Sequence, residues 1–335
     1  WPLVTSWSIP VTVLAITGIG GFIGLRMCER ALALGWTVRG LDQSEAAAET
    51  ARALGADVVV ADISDFEALQ HVVRGADWVF HTAAIVAEDG RREDYERVNV
   101  QGTASVCEAV AEAGVQRLVH LSSVMVYGFD YPQDVTEDGP LNGQGNVYNE
   151  SKIASEGIVL DSHGCKGLEV VVIRPGDVYG HGSQPWLERP LKLLRQGLFA
   201  IPTGEGVINH VHVDNLIDAV MLAFDNPGAA GGIFNITDGV ATPCREFFRH
   251  HAAMVRRPLP RLPAPVLVGA VGAVEKLALF LGRSPPASRA GVHFLQRRNR
   301  YSIARARDLL GYSPRISLEE GMAALHRNMD STQAG

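Results

Sequence analysis

The chain has 335 residues, enough for one well-buried core and a second lobe, and its composition is that of an ordinary globular protein. Its net charge of −7 argues against nucleic acid as a partner, because phosphate binding needs a basic face. Four widely spaced cysteines with no CxxC pair, and scattered histidines, predict no metal site and no disulfide framework. We expect reduced thiols in a cytoplasmic protein.

The first apolar run, Val11–Ile16, leads directly into a glycine-rich turn and then a helical pattern. Gly18 permits the tight turn, Gly21 lets the backbone approach a pyrophosphate, and Gly24 lets the helix lie close to the sheet. Free N–H groups and the helix dipole favour phosphates at the start of such a helix. The pattern predicts a dinucleotide site.

A second strand, Trp36–Leu41, ends in Asp42, about 20 residues beyond the glycines. A carboxylate in this position binds the ribose 2′-hydroxyl of NAD and repels the 2′-phosphate of NADP. The next residues are Gln43 and Ser44, and strand alternation places Arg39 on the opposite face, so no cation offsets the carboxylate. The sequence predicts NAD as cofactor; the alternative is that Asp42 only starts a turn.

Further strand-like runs alternate with helical patterns through the first half of the chain, which predicts an α/β fold with a doubly wound parallel sheet of the Rossmann type. The predicted strands are Val58–Ala61, Trp78–His81, Arg117–Leu121 and Glu169–Ile173. The predicted helices cover about 45–54, 65–74, 93–113 and 148–162.

After Pro175 the rhythm changes to Gly- and Pro-rich loops and then to Pro-punctuated helical segments. We predict a dinucleotide-binding domain over 1–180 with a return segment at about 211–236. A smaller, mostly helical substrate lobe then comprises 181–210 and 237–335. Such a lobe covers the carboxyl ends of the strands, where ligands bind in open α/β folds.

Tyr148 and Lys152 stand four residues apart on a predicted helix and therefore share a face. A neighbouring ammonium, together with a positive nicotinamide, would favour the phenolate and make the tyrosine a usable base. Ser123 follows the strand that ends at Leu121, where its hydroxyl can stabilise a substrate oxygen. The alternatives are a solvated helix face and a turn role for the serine.

Together, these motifs resemble the extended short-chain dehydrogenase/reductase superfamily, also called the NAD-dependent epimerase/dehydratase group, from about residue 12 to about 325. The motifs are Thr17-Gly-x-x-Gly-x-x-Gly24, Ala61-Asp-Ile63, Phe80-His-Thr-Ala-Ala84, Val98-Asn-Val-x-Gly-Thr103, Leu121-Ser-Ser123, Tyr148-x-x-x-Lys152, Arg174-Pro175, Val178-Tyr-Gly180, His212-Val-Asp214 and Leu310-Gly-Tyr-Ser-Pro314.

The resemblance implies roles for these residues. Tyr148 would be the general acid/base, Lys152 would hold the nicotinamide ribose, and Ser123 would orient the substrate oxygen. Asn99 would brace sheet and helix. Beyond the glycines, Asp42 and the catalytic pair, the implied cofactor contacts are Phe22, Ile23, Asp62, Ile63, Thr82, Ala83, Ala84, Pro175 and Val178.

Two features select a branch within this group. Sugar-nucleotide members commonly carry an asparagine where this chain has Asp177, and a carboxylate there would repel a diphosphate. The segments Pro258–Pro263, 264–282 and Arg283–Pro286 resemble the 3β-hydroxysteroid dehydrogenase branch, and an apolar helix beside the cleft suits a lipophilic alcohol. Arg297, Arg298 and Arg300 remain as cations that a diphosphate could use.

The apolar stretch 264–282 is interrupted by Glu275-Lys276, and the eleven uncharged residues before this break cannot span a bilayer. A buried core helix, a pocket lid or a surface-lying helix with peripheral membrane association are the roles left open. The N-terminus, Trp1-Pro2, does not resemble a signal peptide.

The sequence thus predicts an NAD-dependent oxidoreductase that interconverts a secondary alcohol and a ketone on a small lipophilic substrate, such as a 3β-hydroxysteroid. A sugar-nucleotide epimerase or dehydratase with retained NAD, and a non-catalytic NAD-binding protein, are the alternatives. We also expect a homodimer through the helices at 93–113 and 148–162, packed by outer-face residues Ala104, Val106, Ala109 and Ile158.

Overall fold

The computed structural model describes residues 11–86, 90–281 and 288–334. Trp1-Pro2, Gly282 and Arg283–Pro286, which the sequence interpretation used, lie outside the described residues. Thirteen strands form in the described ranges: β1 Val13–Thr17, β2 Thr37–Asp42, β3 Asp57–Val60, β4 Trp78–His81, β5 Arg117–Leu121, β6 Glu169–Pro175, β7 Asp177–Tyr179, β8 Ile201–Thr203, β9 Val207–Ile208, β10 His210–His212, β11 Ile233–Ile236, β12 Thr242–Pro243 and β13 Arg261–Pro263.

Seven of these strands build one parallel sheet in the order β11-β6-β5-β4-β1-β2-β3, which confirms the predicted doubly wound fold. β11 joins the sheet beside β6, as the predicted return of the chain requires. The short pairs β7–β10, β8–β13 and β9–β12 lie outside this sheet. β5 is buried along its whole length because helices cover both faces of the sheet.

The helices follow the predicted pattern, with the predicted helix 93–113 interrupted by a π segment over Glu96–Gln101. Their bounds are α1 Phe22–Ala33, α2 Glu45–Leu54, α3 Phe66–Val73, α4 Arg92–Tyr95, α5 Gly102–Glu112, α6 Val147–Asp161, α7 Arg189–Arg195, α8 Val213–Asp225, α9 Cys244–Met254, α10 Ala264–Phe280, α11 Arg289–Phe294 and α12 Leu318–Ala334. Within the described ranges, no helix is long and apolar enough to cross a membrane.

Apolar side chains pack on the two faces of the sheet and in a third cluster of the C-terminal lobe. Val106 and Ala109 are fully buried in the cluster formed by α3, α5 and the sheet. Their predicted place on an outer dimer face is therefore wrong, since these side chains already pack inside the chain. Ala104 is exposed and Ile158 is half-buried. The homodimer itself stays a prediction.

The division into two lobes also stays a prediction, with one observation that bears on its bounds. Ile303, Ala306, Leu310 and Tyr312 belong to the segment predicted for the substrate lobe. They pack instead into the core formed by the sheet, α1 and α8. This segment is therefore a second part of the C-terminal chain that packs against the first domain. It contributes buried side chains, whereas the first such part, β11, contributes a strand.

Arg117, the first residue of β5, ties the sheet to the end of α8. Its buried guanidinium donates hydrogen bonds of 2.7–2.8 Å to the carbonyls of Ala223, Phe224 and Asn226, and it pairs with Glu169 at 2.5 Å. The last carbonyls of a helix have no partner within the helix, so a buried helix end needs such a donor.

We predict that Arg117→Met lowers the free energy of unfolding by about 3 kcal/mol, because buried carbonyls lose their donor and Glu169 loses its partner. Urea denaturation measures the change. The matched control is Arg52→Met. The Arg52 guanidinium pairs with Glu45 and Glu49 on the exposed side of α2 and bonds a single carbonyl. An equal decrease in the free energy of unfolding in both variants would contradict the role of Arg117 at the end of α8.

Candidate active site

A cavity of about 900 Å³ opens at the carboxyl edge of the sheet. Of the predicted site residues, Gly24 is not on its wall. Those on its wall are Gly18, Gly21, Phe22, Ile23, Asp42, Asp62, Ile63, Thr82, Ala83, Ala84, Ser123, Tyr148, Lys152, Pro175 and Val178. Parallel strands end at one edge, which is why residues spread over 160 positions meet here.

The glycine turn is built by close approach of backbone to backbone. Gly18 has a φ of +72° and lies against Ala83, where a Cβ would come within 2.9 Å of backbone atoms. A Cβ on Gly24 would collide with the Gly18 carbonyl, so this residue lets α1 pack closely against the turn. Two of the three glycines thus meet requirements of the protein itself.

Gly21 is different, because a Cβ there would meet only the Gly18 carbonyl, at 3.2 Å, and would otherwise extend into the cavity. Gly21 is also the residue that precedes α1. The N-terminus of this helix has no side-chain cap and no acidic residue in its first turn. N–H groups at a helix start without such a cap are suited to an anion. This geometry fits the pyrophosphate of a dinucleotide.

Asp42 is both a cavity residue and part of a turn. Its carboxylate accepts hydrogen bonds of 3.0 Å from the backbone N–H groups of Gly20 and Ser44, which ties the end of β2 to the glycine turn. Arg39 donates to the Arg74 carbonyl at 2.6 Å, away from Asp42. The expectation that Arg39 does not offset this carboxylate is supported.

Asp62 and Ile63 follow β3 on the same wall. Burial raises the pKa of Asp62, but hydrogen bonds from Ser64 and the Arg97 guanidinium at 2.9 Å outweigh it and keep the pKa below its usual range. Ile63 fills the space left by the missing side chain of Gly102. Asp62 is therefore a fixed, charged carboxylate beside the cofactor region.

The strand end at β4 is held by a buried polar network. His81 lies between Thr17 Oγ1 at 2.6 Å and Thr103 Oγ1 at 2.9 Å, and burial lowers its pKa to about 3. Asn99 bonds both the N–H and the C=O of Ile85 and also Ser151 on α6. Asn99 thus joins the cavity wall to the catalytic helix, which is a bracing contact.

The residues predicted to be catalytic lie at the start of α6 and just after the end of β5. The Tyr148 and Ser123 side chains are hydrogen-bonded, and Ser123 Oγ accepts from the Met125 N–H at 3.1 Å. Lys152 donates from Nζ to the Leu121 carbonyl at 2.9 Å. The structure therefore brings together the three residues that the sequence singled out.

The protonation states differ from the expectation. Burial raises the pKa of Tyr148 to about 12, and the hydrogen bond with Ser123 opposes this rise. Burial also lowers the pKa of Lys152 to about 8, opposed by the Glu156 carboxylate. The pKa of Tyr148 is thus set by desolvation rather than lowered as expected, and among the protein groups alone the phenol stays protonated at neutral pH.

Sequence reasoning missed a buried ion pair behind these residues. Arg174 pairs with Glu156 at 2.6 Å, with both side chains 2% exposed, and Glu156 also accepts a short hydrogen bond from Ser122. Arg174 also donates to Tyr127 Oη at 2.7 Å. Two features of the sequence pointed to this pair. Glu156 follows Lys152 by one helical turn, and Arg174 belongs to a family motif to which the sequence analysis assigned no function.

The far wall of the cavity is apolar. Its residues come from the π segment Gln184–Glu188, α7, the segment before β8, α9, α10, and α11 with the residue that follows it. They are Pro185, Trp186, Pro190, Leu193, Leu198, Phe199, Phe248, Leu267, Val271, Val292, Phe294 and Leu295. A wall of this kind accommodates apolar surface of a ligand rather than charge.

Asp177 corrects the sequence interpretation. Its carboxylate is buried and pairs with Arg297 at 2.9 and 3.1 Å, and it also accepts from the Asn209 N–H at 3.0 Å. The expected repulsion of a diphosphate is wrong because this charge is already compensated. The expectation that Arg297 offers a cation to a ligand is wrong for the same reason.

Of the other residues that could bind a ligand or a metal, Arg300, His210 and His212 have structural partners. Arg300 pairs with Asp134 at 2.7 Å, and Arg298 is exposed. His210 bonds Asp238 at 2.9 Å, and His212 accepts from the Asp214 N–H at the start of α8. No cluster of three or more metal-ligating side chains occurs in the part of the chain that the structure describes.

Curated relatives align along most of the chain. A 4-hydroxy-2-methyl-3-oxo-4-farnesyl-3,4-dihydroquinoline-1-oxide ketoreductase from Stigmatella aurantiaca is 29% identical over 93% of this chain and 95% of its own. A 3-beta-hydroxysteroid dehydrogenase from Mycolicibacterium neoaurum is 32% identical over 92% and 88%. A UDP-glucose 4-epimerase from Mycolicibacterium smegmatis is 32% identical over 92% and 95%.

Among solved structures, a UDP-glucose 4-epimerase from Thermotoga maritima matches with a TM-score of 0.78, covering 96% of this chain and all of that one, at 20% identity. This likeness concerns the fold. The family model described as NAD dependent epimerase/dehydratase family matches residues 14–237. The cavity, the glycine turn and these comparisons lead to one conclusion: the chain belongs to the NAD-dependent epimerase/dehydratase family, the extended short-chain dehydrogenases/reductases, and is an enzyme that uses NAD.

Proposed function

We propose that this enzyme interconverts a secondary alcohol and a ketone on a lipophilic substrate, such as a 3β-hydroxysteroid. The observation that carries the proposal is the large apolar part of the wall of the same cavity that Ser123, Tyr148 and Lys152 line. Burial of apolar ligand surface against such a wall stabilises binding by about 25 cal/mol per Å². The likeness to the ketoreductase and the hydroxysteroid dehydrogenase supports the same substrate class.

The charges around the cavity also support this substrate class. Lys152 and Arg189 are the basic residues on the described cavity wall, and Lys152 is held at the Leu121 carbonyl. Arg297 is held by Asp177. A diphosphate would have to be desolvated against this largely apolar surface, which is costly without paired cations.

In the oxidative direction, Tyr148 would accept the hydroxyl proton of the substrate once its own phenol is deprotonated, while the carbinol carbon gives up a hydride and becomes the ketone carbon. NAD supplies the hydride acceptor or donor when bound. Tyr148, protonated at neutral pH, donates the proton in the reductive direction. Ser123 would hold the substrate oxygen next to the phenol, and Lys152, which lies on the same cavity wall, would hold the nicotinamide ribose.

A sugar-nucleotide 4-epimerase or dehydratase is the second candidate, favoured by the 32% identity to an epimerase over nearly the whole chain. This reaction would return its hydride to the substrate and leave no net NADH. A non-catalytic NAD-binding protein is the third candidate. The presence of Ser123, Tyr148 and Lys152 on one cavity wall argues against it.

A substrate panel separates these candidates. We expect NADH formation with 3β-hydroxysteroids or other apolar secondary alcohols, measured at 340 nm, and none with UDP- or dTDP-sugars. Sugar isomers are followed by chromatography in parallel, because epimerisation is silent at 340 nm. Turnover of sugar nucleotides alone would refute the proposed substrate class.

Replacing the phenol tests the proton transfer. Tyr148→Phe should lower kcat by about a thousandfold with little change in NAD affinity, since a positioned acid or base contributes on this order. The wild-type oxidation rate should rise with pH, because Tyr148, whose pKa burial raises, must lose its proton to act as a base. The reduction rate should fall only as pH rises through that pKa. A variant that keeps the wild-type pH profile would implicate another base.

Cofactor choice is tested at the end of β2. Asp42→Ser removes the carboxylate that the ribose 2′-hydroxyl would meet, so kcat/KM for NAD should fall about tenfold and that for NADP should rise. Because Asp42 also bonds Gly20 and Ser44, the melting temperature is measured alongside. Wild-type enzyme that accepts NADP as well as NAD would contradict this role.

A further inference from the structure

Helix α10 has two apolar faces, of which only one is used within the described chain. On the inner face, Leu267 is 8% exposed and lines the cavity together with Val271. Glu275 pairs with Arg289 at 2.8 Å and accepts from its N–H, which fixes the helix against α11. The helix is therefore a wall one layer thick between the cavity and the exterior.

The outer face is an unbroken apolar stripe. Five apolar residues lie on one side of the helix because they follow one another at intervals of three or four: Val266, Ala270, Ala273, Leu277 and Phe280. Phe280 is 87% exposed, Leu277 59% and Val266 56%. Exposed apolar side chains scattered singly are ordinary, but a contiguous stripe of this kind marks an interaction surface.

The chain segment that contains this stripe is basic, although the whole chain carries a net charge of −7. Residues 245–300 contain eleven Lys and Arg against two Asp and Glu, and four of the eleven are paired with carboxylates: Arg261, Arg289, Arg297 and Arg300. Arg256 and Arg257, which precede β13 and α10, are exposed, as is Lys276 at the edge of the stripe. Within the described ranges, none of these three cations forms an ion pair.

We propose that the outer face of α10, with Arg256, Arg257 and Lys276, docks the enzyme on an anionic lipid surface. An apolar helix face flanked by basic residues lies at such an interface with its apolar side among the acyl chains and its cations near the headgroups. The overall negative charge of the protein would then orient the rest of the molecule away from the membrane.

A second copy of the chain fits this face less well. The stripe is about 25 Å long for 17 residues and one helix wide, well below the roughly 800 Å² per partner of a stable interface. A symmetric contact through it would also bring the same cations of both copies together, and like charges oppose association.

Vesicle flotation of the full chain tests the docking. We expect binding to vesicles of phosphatidylglycerol and phosphatidylcholine that weakens about fivefold for each charge removed in Arg257→Gln and Lys276→Gln. Binding should also weaken at 0.5 M salt. The double variant L277Q/F280Q should lose at least tenfold in partition coefficient, because two side chains no longer enter the acyl region.

The matched control is Leu34→Gln, which changes a 54% exposed leucine at the end of α1 and should bind like the wild type. Melting temperatures establish that all variants fold. Absence of wild-type binding to the anionic vesicles, or unchanged binding of L277Q/F280Q, would overturn the proposal. A fall in oligomer mass caused by L277Q/F280Q, without vesicle binding by the wild type, would assign the face to a second copy.

Docking on the membrane does not depend on the proposed function. Tyr148→Phe should float like the wild type, because it leaves α10 unchanged. Vesicle binding without turnover of any apolar alcohol would refute the proposed function and leave the docking surface in place. Turnover of an apolar alcohol without vesicle binding would refute the docking surface and leave the proposed function in place.

Discussion

The ion pair between Glu156 and Arg174 fixes the catalytic helix to the sheet. It joins α6 to β6, and the bond from Ser122 to Glu156 adds β5 to the same network. Two opposite charges taken out of water are stable only when each is well partnered, so this contact tolerates little change in geometry. The hydrogen bond between Ser123 and Tyr148 depends on it, because those residues lie on the elements that the network connects.

Desolvation governs the chemistry of the cleft as strongly as pairing does. Burial raises the pKa of Tyr148 to about 12 and lowers that of Lys152 to about 8, so the two groups are drawn toward their neutral forms. In such surroundings a bound cation has a large effect on the phenol, since little water screens it. Without a bound cation, the Tyr148 phenol is therefore held in its protonated form.

Much of the fold and of the site could be predicted from local sequence pattern. Asp42 ends a strand, and the glycine turn, Asp62, Thr82 and Ser123 each come after one. Parallel strands end at one edge of the sheet, so their meeting could be predicted without knowledge of tertiary contacts. The family motifs then gave a role to each of these residues.

What could not be predicted was the partner of each buried charge. Asp177 lies 120 residues from Arg297, and no spacing rule connects them, so its carboxylate was expected to face a ligand. Val106 and Ala109 show the same limit for apolar residues. Both faces of α5 contain small apolar side chains, and only the packing decides which face turns inward.

Helix α10 shows why some surfaces are ambiguous in a sequence and clear in a structure. A helix with one buried face normally carries polar residues on the other, and that contrast reveals its orientation. Here the cavity side and the exterior side are both apolar, so the sequence alone allowed a core helix, a lid and a surface helix. The contact between Glu275 and Arg289 fixes the rotation of the helix and turns Leu267 inward. The proposed lipophilic substrate would account for the inner face. The exposure of Phe280 on the outer face requires a separate explanation, because a ligand in the cavity would not cover it.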